Sequence, residues 1–235
     1  MSEASSHVIA APGRPALSLA FRSALPALLL SSLATLWCRW MVGANLGLFL
    51  GTLLLITLCT PPLALSVPIR LAWAPTASIL IGASIIWAIS ASAADIIATE
   101  WLRCCLVLAS YVVALAGLAL LFRFIGLPAP LASALVVVPG LLWLTWPVWL
   151  SHGLTEPVAG WLVPAHPGFA INAILKHLGT WDHMPIAYGT LTVLDQDVPY
   201  RLPSSIVPTI LVHALIGASA VIVVSARHKR IRTVP

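Results

Sequence analysis

The fold is decided by long apolar runs such as residues 102–122, LRCCLVLASYVVALAGLALLF, in which Arg103 is the one charged side chain. A helix of this length spans about 30 Å, the thickness of the hydrocarbon core of a bilayer. The whole chain is 60% apolar and 8% charged, whereas a soluble domain carries about 25% charged residues. Such a chain has too few polar groups to cover its surface in water. The composition therefore predicts a membrane protein.

Five further runs are long enough to cross a bilayer, since a span needs roughly 17–25 predominantly apolar residues. They cover residues 16–37, 42–67, 76–94, 130–150 and 206–226. The sequence therefore predicts an all-α polytopic membrane protein with six transmembrane helices, which form a single integral membrane domain over residues 1–235.

Some spans contain residues that modify a helix. Pro61 and Pro62 indicate a kink or an early end of the second span, because proline removes a helical hydrogen bond. The tryptophans at the end of the fifth span, Trp143, Trp146 and Trp149, are typical of the headgroup region. The third span carries small residues that allow a neighbouring helix to approach closely, namely Gly82, Ala83, Ser84, Ser90 and Ala91.

The charge distribution predicts the orientation. With the N-terminus on the cytoplasmic side, eight basic residues lie on inner segments and four on outer ones, as the positive-inside rule requires. The tail of residues 1–15 and the basic tail of residues 227–235 are then cytoplasmic, and residues 151–207 are extracytoplasmic. We expect the bacterial cytoplasmic (inner) membrane. The basic residues form no groove, so the sequence predicts a lipid bilayer and no nucleic acid as its partner.

Residues 151–207 form the polar stretch of the chain, with four of its seven histidines and four of its seven acidic residues. Within it, residues 168–178 have apolar side chains near helical spacing and polar ones opposite, which predicts a short amphipathic helix lying at the interface or dipping into it. Residues 158–163 are a second candidate helix. We therefore expect a cap of short interfacial helices between spans five and six. The residues expected to gate it are Phe169, Ile171, Ile174 and Leu175.

Two kinds of histidine are candidates for function. The outer residues His166, His177 and His183 could ligate haem or a metal, although their spacing matches no zinc signature and no cofactor is predicted; the alternative is that they are surface or interfacial residues. His213 lies inside the sixth span, where an ionisable side chain is a functional candidate. Its alternative is a packing role, in which it bonds a backbone carbonyl of the next helix.

The motifs of several enzyme classes are absent from the sequence. The chain contains no Walker A glycine loop, no His-Glu-x-x-His and no Gly-x-Ser-x-Gly, each of which supplies a defined catalytic geometry. We therefore do not expect an enzyme, and any ATPase activity would belong to a partner.

The layout of six spans, internal termini and a broken segment before the last span resembles the small permease subunits of exporter-type ABC transporters, including the haem-exporter permease. The resemblance implies transport, with a separate cytoplasmic ATPase subunit and a homodimer partner. It also implies that residues 168–178 dip into the outer leaflet and that residues 15–23 form an interfacial elbow. Residues 66–75, with Arg70, would be the loop that docks the ATPase.

Two other interpretations remain open. The chain could be a non-catalytic accessory or structural subunit of a larger membrane protein complex, because the absence of enzyme motifs fits a permease and an accessory subunit equally well. The outer histidines leave haem or metal handling as a third hypothesis.

Overall fold

The computed structural model describes residues 14–42, 46–149, 155–178 and 202–232. Within these ranges the chain is helical, with no strand, and six helices are long and apolar enough to cross a membrane. The predicted all-α polytopic architecture with six spans is therefore confirmed. The spans are α1 (Arg14–Val42), α2 (Leu46–Leu65), α3 (Trp73–Ala91), α4 (Ala98–Phe124), α5 (Ala129–Trp149) and α8 (Val207–Arg232).

Two short helices, α6 (Glu156–Ala165) and α7 (Pro167–Ile174), lie between the fifth and sixth spans. They occupy one end of the bundle, where Ile174 and Arg103 line the same cavity. At the opposite end, a 3-10 helix at Ile69–Leu71 joins α2 to α3 and lies beside the last turn of α4. We call these the cap end and the Arg70 end.

The first span is longer than the sequence predicts. Helix α1 contains 29 residues, which corresponds to about 43 Å, whereas the hydrocarbon core is about 30 Å thick. Residues 15–23 form its first turns and are continuous with the span, and their place at the interface stays a prediction. No glycine lies between Arg14 and Val42, and nothing in this stretch ends the helix before the span begins.

The prolines of α2 do not end it. The helix runs through Pro61 and Pro62 to Leu65, since membrane helices tolerate proline when neighbouring groups satisfy the freed carbonyls. The face of α2 that is buried in the bundle carries threonines as well as apolar side chains. Thr52, Thr57 and Thr60 are fully buried.

Small residues bring helices into close contact. A Cβ atom added to Gly82 on α3 would lie 2.9 Å from the carbonyl oxygen of Leu28 on α1, and one added to Gly117 on α4 would lie 2.9 Å from that of Gly217 on α8. The expected close packing along the third span is therefore confirmed, with α1 as its neighbour. In a bilayer such close packing supplies much of the attraction between helices.

Candidate functional site

Helix α7 is inserted into the bundle at the cap end. Phe169, Ile171 and Leu175 are at most 1% exposed, and the helix packs against α4 and α2. Residues 168–178 were predicted to form a short amphipathic helix at the membrane interface, and the structure has a helix there that is buried among the spans. The helix is shorter than predicted and is followed by a 3-10 helix at Lys176–Leu178. Ile174 is half-buried, and Lys176 and His177 are exposed.

The junction between α6 and α7 is organised by His166. This residue has an extended backbone and precedes Pro167, which occupies the first turn of α7, as proline commonly does. Its ring Nδ1 accepts a hydrogen bond from the backbone N–H of Phe169 at 3.3 Å. His166 therefore acts as the N-cap of α7. Gly168 allows this geometry, because a Cβ atom there would lie 2.9 Å from the His166 ring.

The other ring nitrogen of His166 reaches α5. Because Nδ1 accepts a hydrogen bond, the ring proton is on Nε2, which lies 3.1 Å from the carbonyl oxygen of Trp143 and 3.3 Å from that of Leu144. The Trp143 carbonyl would ordinarily accept from the residue one helical turn later, which is Pro147 and has no N–H. His166 therefore replaces a bond that α5 cannot make.

The His166 ring is enclosed by aromatic side chains. Its centroid lies 5.4 Å from that of Trp143, 5.9 Å from that of Trp146 and 5.0 Å from that of Phe169. Burial lowers the pKa of His166 to about 3, although the bonds to the carbonyls of Leu144 and Trp143 act in the opposite direction. The ring is therefore neutral over the physiological range. With both nitrogens in hydrogen bonds, it has no lone pair to offer a metal.

On the fifth span, the side chains of Trp143 and Trp146 face the interior of the bundle. Trp146 is 2% exposed and Trp143 is half-buried, whereas the sequence indicated a headgroup belt. They turn inward because α7 and His166 provide an aromatic surface at that level. Among the residues that the structure describes, neither indole N–H has an acceptor. Two buried donors are thus left unused beside His166, where a buried polar group normally finds a partner.

The remaining outer histidines do not join His166. The Nδ1 atom of His177 lies 3.5 Å from a carboxylate oxygen of Glu100, and the other carboxylate oxygen accepts from the backbone N–H of Ile97 at the start of α4. His183 lies outside the described residues. In the described part of the chain, no group of three or more His, Cys, Asp or Glu residues is placed to hold a metal ion.

His213 is buried inside α8, where it is 4% exposed. Its Nδ1–H donates to the carbonyl of Thr209 at 2.8 Å, one turn earlier in the same helix. The predicted packing bond to the next helix was therefore wrong as to partner, because the carbonyl within α8 is nearer. The contact with a neighbour is aromatic: the Tyr111 ring of α4 meets the His213 ring edge-on, with centroids 5.2 Å apart.

Tyr111 connects His213 to α2. The Thr57 hydroxyl donates to the carbonyl of Leu53 at 2.8 Å, so its single hydrogen is used. The Tyr111 hydroxyl lies 2.9 Å from the Thr57 oxygen and 3.4 Å from the backbone carbonyl of Gly140 on α5, so its single hydrogen is shared between these two acceptors. One turn further along α2, the hydroxyl of Thr60 is buried and has no partner among the described residues.

The polar residues inside the spans are linked to the cap. The Thr209 hydroxyl donates to the carbonyl of Pro164 in α6 at 2.6 Å, two residues before His166. We call Thr57, Tyr111, His213 and Thr209 the intramembrane polar cluster. It draws on α2, α4 and α8 and ends at the cap, and its members are joined by hydrogen bonds and by the ring contact between Tyr111 and His213.

Sequence reasoning selected His213 and the cap residues but missed the partners that give them a role. Tyr111 is the one tyrosine within the predicted spans, and that was the available signal. Pro147 was a second signal, because a proline inside a span frees a carbonyl that some other donor must satisfy. Which donor does so depends on the fold.

Arg70 lies in the 3-10 helix at the opposite end and is exposed. The described acidic residues Asp95, Glu100 and Glu156 all lie at or beside the cap end. Within the described ranges, the charged side chains of the Arg70 end are therefore basic. The structure thus has a basic end and a capped end.

These features define a polytopic α-helical integral membrane protein whose last two spans are separated by an inserted cap. Comparison of the chain with protein families, with curated proteins and with solved structures found no match.

Proposed function

We propose that the chain is the membrane-spanning permease subunit of an exporter-type ABC transporter, acting as a dimer with a separate ATPase subunit. The observation that carries the proposal is the insertion of α6 and α7 between the last two spans. A helix with its central residues fully buried closes the bundle at one end, yet it is only eight residues long. Such an element can leave its site without unfolding a span.

The contacts of the cap favour a gate. The cap is held to α5 through His166 and to α8 through the bond from Thr209 to Pro164. A change in the separation of α5 and α8 would therefore act on both attachments at once. The indole N–H groups of Trp143 and Trp146, which have no acceptor among the described residues, would then be available to acceptor atoms of a passing solute.

The Arg70 end suits a docking surface for the ATPase. The connection from α2 to α3 contains a single 3-10 turn with an exposed arginine, and in the proposed orientation it faces the cytoplasm. ATP-driven movement of this turn would be transmitted along α3, which is packed closely against α1 at Gly82. The intramembrane polar cluster would offer hydrogen-bonding groups along the path of the solute.

Purification of the chain from its native membrane in mild detergent tests the proposal. We expect an ATPase polypeptide to co-purify, and Arg70→Glu to reduce the ATPase activity of the complex. Arg22→Glu is the matched control, because Arg22 is exposed on α1 near the same end and lies outside the connection. A preparation that never contains an ATPase would overturn the proposal, and so would equal effects of the two variants.

A second function, accessory subunit of a larger membrane complex, is favoured by the exposure of two spans. In their most apolar stretches, 22% of the residues are buried in α1 and 22% in α5, against 56% in α4. Protein neighbours could cover these faces as well as lipid could. Co-purification of several membrane polypeptides without an ATPase would decide for this function.

A further inference from the structure

An apolar cavity of about 380 Å³ opens between the Arg70 turn, the start of α3, α4 and α8. Small residues make the space: Ala72, Ala116 and Gly117 lie in its wall, where larger side chains would fill it. Trp73 and Val221 also line it and are themselves exposed. The cavity therefore meets the surface of the bundle on the side of α3 and α8.

The cavity persists because α4 and α8 are held close together beside it. The backbones of Gly117 and Gly217 touch, with no room for a Cβ atom at either position. This contact fixes the separation of the two helices and prevents them from closing further over the space. The cavity therefore results from the way α4 and α8 pack against each other.

A second cavity, of about 540 Å³, adjoins the first. The two share Ile69, Leu120 and Phe124 as lining residues, and the second is also lined by Arg123. The Arg123 guanidinium donates to the carbonyl of Leu127 at 3.1 Å, which uses one of its several N–H groups. One arginine therefore lines each cavity, Arg70 the first and Arg123 the second.

We infer that the paired cavities bind an anionic phospholipid, with an acyl chain in the apolar cavity and the phosphate between Arg70 and Arg123. Charge complementarity selects this occupant. Two arginines line the cavities, no acidic residue among those described lines either one, and basic pockets between membrane helices bind anionic headgroups. A zwitterionic lipid would gain less binding free energy from the two arginines, because it carries no net charge. The site does not depend on the transport function proposed above.

The test uses the full chain reconstituted in vesicles of equal parts phosphatidylglycerol and phosphatidylcholine. After mild detergent extraction, mass spectrometry counts the phospholipids retained per chain. We expect retention of phosphatidylglycerol in preference to phosphatidylcholine. Arg70→Gln and Arg123→Gln should each weaken phosphatidylglycerol retention about fivefold. Ala116→Phe should reduce it independently of charge, by filling the apolar cavity.

Arg22→Gln is the control, because it removes the same charge from an exposed site near the same end and should leave retention unchanged. A thermal melt of each variant confirms that it is folded. Equal retention of the two lipids by the unaltered chain would overturn the inference. So would full retention in the Arg70→Gln/Arg123→Gln variant, or an equal loss in Arg22→Gln.

Discussion

The Nε2–H group of His166 donates to the backbone carbonyl of Trp143 at 3.1 Å, an oxygen that has no helical partner because residue 147 is proline. This bond satisfies a carbonyl of α5 that proline leaves free, and the residue that donates it is the N-cap of α7. The same ring accepts from Phe169, so the contact also sets where α7 begins. The neutral imidazole of His166 therefore attaches the start of α7 to α5.

Removing the His166 ring should leave the Trp143 carbonyl of α5 without a hydrogen-bond donor. We expect His166→Ala to lower the free energy of unfolding by about 1–3 kcal/mol for the unpaired carbonyl alone. Pro147→Ala should recover part of that loss, because alanine would supply the backbone N–H that proline lacks. The measurement is a double-mutant cycle on unfolding in detergent.

Pro139→Ala is the control for this cycle, since Pro139 lies in α5 about two turns away. Its effect should simply add to that of His166→Ala. The assignment of the His166–Trp143 bond fails if Pro147→Ala changes stability by the same amount in both backgrounds.

Acid should weaken the fold through His166. Its pKa is about 3 in the folded protein and about 6.5 in an unfolded chain. Between these values the unfolded chain binds a proton there and the folded one does not, so the free energy of unfolding falls as pH falls. The advantage of the unaltered protein over His166→Ala should shrink by about 1.4 kcal/mol between pH 7.5 and 5.5. Parallel melting curves across this range would contradict the prediction.

The bond between Tyr111 and Thr57 should be measurable as a coupling energy. Tyr111→Phe and Thr57→Val each remove one side of a 2.9 Å contact. Hydrogen bonds between membrane helices contribute about 0.6 to 1.7 kcal/mol, and we expect the two substitutions to be non-additive by this amount. Thr52→Val is the matched control, because Thr52 accepts from Trp87 and should show no coupling to Tyr111.

Close packing of α4 and α8 should make Gly117 intolerant of a methyl group. We expect Gly117→Ala to destabilise the protein by about 1–3 kcal/mol, as overpacking does. Gly160→Ala, in α6, meets nothing within 4 Å and should be neutral or stabilise by up to about 1 kcal/mol. Thermal unfolding of the two variants compares them directly, and a tolerated alanine at position 117 would show that the helices are free to separate.

Much of the architecture could be predicted because each span satisfies its own hydrogen bonds. Runs such as residues 102–122 are apolar over the thickness of a bilayer, so their helical state follows from length and composition. Boundaries were less predictable. Helix α2 passes through Pro61 and Pro62, and α1 continues without a break through residues 15–23, because neighbouring contacts and helix continuity decide where a helix ends.

The candidate site was likewise predictable from the sequence only in part. The composition of residues 151–207 marked the cap, and helical spacing identified the inward residues Phe169, Ile171 and Leu175. The role of His166 could not be read from spacing, because its two partners are a carbonyl on α5 and an N–H on α7. His213 was recognised by its place in a span, while its contact with Tyr111 needed the packing of α8 on α4.

The sequence by itself determined that this protein has six helices long and apolar enough to cross a membrane and a segment of different composition before the last, because both follow from local hydrophobicity and helical period. Only the tertiary structure decided that Pro147 is compensated by His166, that Tyr111 bonds Thr57, and that Gly117 meets Gly217. Each of these contacts joins residues on different helices. Its geometry depends on how the helices pack, to which every span contributes and which no single run of residues encodes.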